Sequence, residues 1–184
     1  MRGPVITLLA LPLVLFVSCA GSVDPVPEHD PLPVRVVQFP GQTILTRAYT
    51  GSFSEIGGRI TEFIAFLVEE KIEVTGDLGA AFYDDPATTP PEETRYEIRI
   101  PVAPETVVVA PWEIKRMDPM DTAAVLLIGS YETIAGRYPE IYTWIDENGY
   151  VPAGPLMEVY LVHPGSDVPP EQYETEVHVP VMVK

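Results

Sequence analysis

Two stretches of the chain share one order of apolar and polar positions. In the first, a β-prone run at residues 43–49 (TILTRAY) leads to Gly51. Ile56, Ile60, Phe63, Ile64 and Leu67 then recur at the spacing of one helix face. Extended runs at 79–83 and 95–102 follow. In the second, residues 122–128 (TAAVLLI) lead to Gly129. Ile134, Ile141, Tyr142 and Ile145 mark a second helix, and Asn148-Gly149 closes it as a C-cap. Strands at 156–162 and 175–181 come next. Ser52 and Glu55 have the S-x-x-E spacing of a capping box. Pro139 costs ~3 kcal/mol inside a helix, so a kink or a late helix start is expected there. Short strands at 34–39 and 113–117 precede each set. Strand, helix, strand, strand, taken twice, predicts an α+β fold with a mostly antiparallel sheet and two main helices.

The correspondence extends to residue identity. At an offset of 78, Gly51, Ser52 and Phe53 match Gly129, Ser130 and Tyr131, Gly58-Arg59 matches Gly136-Arg137, Phe66 matches Trp144, and Gly76 matches Gly154. Further on, PEETRYEIRIPV from Pro91 matches PEQYETEVHVPV from Pro170. Two similar stretches, about 34–102 and 112–181, predict a duplicated βαββ unit arranged about a pseudo-two-fold axis. Two copies are too few for a solenoid.

What precedes them is different in kind. Residues 1–18 carry one basic residue, Arg2, an apolar run from Val5 to Val17, and Ser18 ahead of Cys19. That is the layout of a signal peptide, too short for a comfortable membrane span. The sequence around Cys19 resembles a lipobox, although Phe16 stands where that pattern prefers Leu. The expectation is lipidation at Cys19, export, and anchoring to a membrane of the bacterial cell envelope. Residues 19–33 are rich in proline and acidic residues and read as a tether. The domain proper is then 34–184. Cys19 is the only cysteine, which excludes an internal disulfide and a Cys-rich zinc site. The three histidines show no metal-ligand spacing, and neither metal nor cofactor is expected. A net charge of −16 argues against nucleic acid and favours neutral or cationic ligands.

One residue breaks the symmetry of the strands. Glu158 is the single charged position in the run 156–162, which is otherwise apolar on both faces apart from the Tyr160 hydroxyl, like a buried central strand. Its counterpart is Ala80. A buried carboxylate costs several kcal/mol unless it is paired, and it should have a raised pKa. Tyr160, two residues on, faces the same side. Tyr131, Tyr142, Trp144, Phe82 and Tyr83 are the aromatic candidates to surround Glu158 as a cation–π box, with ordinary core packing as the alternative for any one ring. Glu97 and Glu176, beside Arg99 and His178 at strand spacing, read as a solvated or paired sheet face. Trp112 has no aromatic counterpart and no evident role. Serine-hydrolase, zinc-protease and P-loop motifs do not occur.

The segments GSYETIAGRYPEIYTWIDENGYVPAGPLMEVYLVHPG and PPEQYETEVHVPV, with the weaker copy GSFSEIGG, AAFYDDP and YEIRIPV, resemble the GyrI-like family, also called the AraC-type effector-binding domain. The resemblance spans roughly residues 34–183. It implies two βαββ units whose shared groove binds small molecules, often cationic and hydrophobic, with a pocket glutamate at the position of Glu158. A leader stands where regulators of this family carry a helix-turn-helix, so neither DNA nor gyrase is an expected partner. The leading expectation is an envelope-anchored protein that binds a small hydrophobic or cationic ligand without turnover. One alternative is a hydrolase of reactive electrophiles, with Glu158 activating water and Tyr160 positioning the substrate or donating a proton. Tetrapyrrole binding through His163 or His178 and an interaction protein without a ligand are the others.

Overall fold

The computed structural model describes residues 32–85 and 88–184. The leader at 1–18, Cys19 and the tether up to residue 31 lie outside the described residues. No helix among the described residues is long and apolar enough to cross a membrane. The chain runs β1 (Arg35–Phe39), β2 (Gln42–Thr50), α1 (Ile56–Glu69), β3 (Gly79–Phe82), β4 (Arg95–Pro101), β5 (Glu113–Met117), β6 (Met120–Ile128), α2 (Tyr131–Ala135), α3 (Tyr138–Glu147), β7 (Tyr150–Pro152), β8 (Leu156–Val162) and β9 (Glu174–Val183). Every strand pair recorded among the described residues is antiparallel. The strand order is β1-β6-β9-β8-β3-β4-β2-β5, with the short β7 added on β9. Neither β1 nor β5 pairs with the strand that follows it. β1 crosses to β6, and β5 crosses to β2.

The helices cover one face of this sheet. From α1, Phe63 and Leu67 are buried against Leu45, Tyr96, Ile98 and Ile100 of β2 and β4. From α2 and α3, Ile134, Ile141 and Ile145 are buried against Val125, Leu156, Val177 and Val179 of β6, β8 and β9. Ile64, expected on the buried face of α1, is exposed, since the inward stripe runs through Phe63 and Leu67. Phe82 of β3 packs against both cores, so the seam between them runs along the central pair β3–β8. Proline acts at 139 by ending one helix and starting another. α2 stops at Ala135, and α3 begins at Tyr138 with the proline in its first turn, where the missing N–H is harmless. The expected capping box does not form. Ser52 Oγ accepts from the Ser54 N–H at 3.2 Å, while Glu55 turns to Arg59 at 3.0 Å. Trp112 closes the α1 core. It stacks on Phe66 with centroids 4.0 Å apart, meets Phe63 edge-on, and lies under the Arg47 guanidinium.

Candidate functional site

Glu158 sits in the middle of β8, directly across from Ala80 on β3 and Val177 on β9. Strand alternation sends its side chain to the helix face, at the seam between the two cores. It is 6% exposed. The break between α2 and α3 brings Tyr138, the first residue of α3, over the seam, where its hydroxyl donates to Glu158 Oε1. Tyr160, two residues along β8, is buried on the same face, and its hydroxyl also interacts with the Glu158 carboxyl. Tyr131, the first residue of α2, lies edge-on to Tyr160 with centroids 5.4 Å apart and against Tyr173 at 5.6 Å. Across from Tyr160 on β9 is Thr175, whose buried Oγ1 has no hydrogen-bond partner among the described residues.

The electrostatics follow from burial. Loss of water pushes the Glu158 carboxyl above its ordinary range, and the donated hydroxyls of Tyr138 and Tyr160 oppose that rise without cancelling it. Burial and the neighbouring carboxylate push the Tyr138 and Tyr160 phenols up strongly, and Tyr131 to about 12. The three phenols therefore stay protonated donors at neutral pH. A buried carboxyl held by phenol hydroxyls is arranged to take a positive charge or to accept a proton.

Of the residues anticipated from sequence, Glu158, Tyr160 and Tyr131 come together. Tyr142 lies one helical turn beyond Tyr138 and is half-exposed at the rim, its phenol raised by burial and by Asp85. Phe82 lies on the same sheet face one pair along, opposite Leu156 and edge-on to Phe53 at 5.1 Å. Trp144 is not part of the site, since it stacks on Tyr150 at 6.4 Å. Tyr83 is not either. It follows Phe82 and so leaves the strand on the opposite side, where its hydroxyl engages Glu97. The residues foreseen as a solvated or paired face are in part buried: Glu97, Arg99 and His178 are each 6–7% exposed. Tyr138 was missed, although its place in the first turn after the Pro139 break marked it as a residue that could face inward. His163 is turned back on its own loop, where Nδ1 accepts from the Gly165 N–H at 3.1 Å. No group of three or more metal-ligating side chains occurs among the described residues.

The class defined by this fold and buried acid is a small-molecule-binding domain. Residues 32–182 match the family model for the GyrI-like small molecule binding domain, and the chain belongs to that family. The solved C-terminal domain of EcmrR is 15% identical, with a TM-score of 0.74 over 83% of this chain and 99% of that one. Against the EcmrR chain in a complex with DNA the TM-score is 0.76 at 14% identity, covering 84% of this chain and 59% of that one. The chain thus spans less than two thirds of that EcmrR chain. A tetraphenylphosphonium-bound protein, SAV2435, is similar at a TM-score of 0.56, 15% identity, and 81% and 93% coverage. No curated protein matches the chain in sequence.

Proposed function

We propose that this protein captures an amphipathic, cationic small molecule at the seam between the two cores, with Glu158 as the counter-charge and Tyr131, Tyr138 and Tyr160 as the aromatic and hydrogen-bonding walls. The observation that carries this reading is the buried Glu158 carboxyl, whose neighbours are phenols and which has no cationic partner among the hydrogen bonds and ion pairs of the described residues. The unpartnered Thr175 Oγ1 beside Tyr160 adds a polar contact for the ligand. The similarity to a protein solved with tetraphenylphosphonium points to the same ligand chemistry. The domain is read as two βαββ units about an axis between β3 and β8. Support comes from the direct pairing of Ala80 with Glu158, its counterpart in the repeat, and from the reciprocal crossing of β1 and β5. Export and a lipid anchor at Cys19 complete the proposal and place the binding site at the cell envelope. Radiolabelled palmitate incorporation that is absent in Cys19→Ala tests that part.

The test of the site is a thermal-shift titration of wild type and Glu158→Gln with tetraphenylphosphonium. A ligand at a hundredfold excess over its dissociation constant stabilises by ~2.7 kcal/mol. A shift in wild type that vanishes in the variant is expected, and equal shifts in both would overturn the reading. The displaced proton affinity of Glu158 also favours a second reading, a hydrolase with Glu158 as general base. Turnover of an electrophilic ester or epoxide by wild type, absent in Glu158→Gln, is the outcome that would establish it.

A further inference from the structure

The sheet face turned away from the helices carries a second asymmetry, independent of Glu158. Strand alternation places Glu97 and Arg99 of β4, Gly79 and Ala81 of β3, Met157 and Val159 of β8, and Glu176 and His178 of β9 on this side. Arg99 is 6% exposed, and its Nη2 is buried without a hydrogen-bond partner among the described residues. Its Nη1 reaches only the Met117 sulfur at 3.7 Å, a weak acceptor. The nearest carboxylate on the strand does not serve it. Glu97 takes the Lys115 ammonium, lies 3.3 Å from Thr46 Oγ1, and engages the Tyr83 hydroxyl. A buried guanidinium left with a thioether is costly, and such an exception needs an explanation. In the equivalent place on β9, His178 is fully engaged. Its Nδ1 lies 3.0 Å from Thr122 Oγ1 and its Nε2 3.4 Å from Glu176 Oε2.

Arg99 lines a cleft of about 440 Å³ on this face, within the range of small-molecule sites. Gly79 stands between Arg99 and Val159 in the same row and contributes no side chain. Val37, Phe39, Ile44, Val159 and Leu161 give the cleft an apolar wall, Arg35 is a second cation in its lining, and Asp77, Glu158 and Glu176 are its acidic members, with Glu176 turned to His178. We infer that this cleft binds a carboxylate-bearing amphipathic small molecule, its carboxylate held by the Arg99 guanidinium and its apolar body lying along β1 and β8. The incoming carboxylate takes the place of the Met117 thioether, whose unbranched side chain can swing aside. A planar carboxylate matches the guanidinium fork. The Arg99 and Glu158 side chains leave the sheet on opposite faces, so although Glu158 also borders the cleft, the proposed carboxylate contact is Arg99 and takes the opposite charge.

Isothermal titration of the full chain with 4-phenylbutyrate tests the inference, with 4-phenylbutan-1-ol and 4-phenylbutylamine as the neutral and cationic analogues. Saturable binding of the acid is expected, with the alcohol and amine weaker by about tenfold or more. Arg99→Gln and the cleft-filling Leu161→Trp should each weaken the acid by about tenfold. Leu161 is at the cleft wall and 37% exposed, so its replacement decides the matter even if Arg99→Gln does not fold. Absence of saturable binding, an amine that binds as well as the acid, or a Leu161→Trp variant that binds like wild type would each overturn the assignment.

Discussion

At the scale of single residues, Glu158 shows how far composition along one strand can reach. A lone charge in an apolar run told its burial, and the cost of dehydrating a carboxylate is what makes such a position a candidate for use. Tyr138 was hidden because helical periodicity weighs positions by their fit to an unbroken helix. It is the break that aims this ring at Glu158. Tyr83 was misplaced although period two already assigned it to the face opposite Phe82. The raised pKa of Glu158 has a definite sign in stability. The folded state holds its proton more tightly than the unfolded chain, whose carboxyl titrates near 4.5. The stabilisation is complete below that pH and is lost as pH rises through the folded-state pKa. Glu158→Gln does not titrate. Urea midpoints of the two proteins, measured from pH 4 to pH 8, should therefore diverge in favour of the variant as pH increases, and parallel curves would mean an ordinary carboxyl. Tyr138 makes a second prediction. Its hydroxyl competes with any incoming cation for Glu158, so Tyr138→Phe should tighten tetraphenylphosphonium by up to about tenfold in calorimetry. Weaker binding would mean that the Tyr138 hydroxyl holds the ligand rather than competing with it for Glu158.

At the scale of elements, the strands and helices were legible because their two periods differ. The runs foreseen at 113–117 and 156–162 coincide with β5 and β8, and the others differ by a residue or two at their ends. The three-residue β7 is too short to have a period and was not foreseen. Partner choice was also beyond local pattern. Adjacent short strands suggest hairpins, yet β1 and β5 each pair elsewhere. At the central junction of β3 on β8, Gly79 faces Val159. A Cβ at 79 would run into the Glu158 carbonyl oxygen, a main-chain atom that cannot swing away. Gly79→Ala should force the central pair apart and destabilise the fold by about 1–3 kcal/mol. Because the same pair carries Glu158, tetraphenylphosphonium affinity should fall with it. A variant of wild-type stability and affinity would show that the pair has slack the geometry does not suggest.

At the scale of the whole molecule, the strand exchange binds the two halves into one cooperative unit. A fragment ending in the 103–111 linker would contain β1 without its partner β6, β2 without β5, and the fully buried Ala80 and Ala81 of β3 without β8 to cover them. Unpaired edges of this length neither bury enough surface nor satisfy their backbone groups. The helix core of the first half is likewise incomplete alone, since Trp112 from beyond the linker fills the space between Phe63, Phe66 and Arg47. Residues 32–107 and 108–184, produced separately, should each be largely unfolded and should recover strand structure only when mixed. Both tryptophans lie in the second fragment, so the seating of Trp112 against Phe66 supplies a fluorescence change that reports assembly. A Trp112→Phe second fragment, which keeps Trp144 but loses that signal, identifies its source. If either fragment alone gave a cooperative thermal transition, the halves would be autonomous and the Glu158 seam between them an interface able to open as a rigid hinge. If only the mixture does, the seam around Glu158 can open only through local motion.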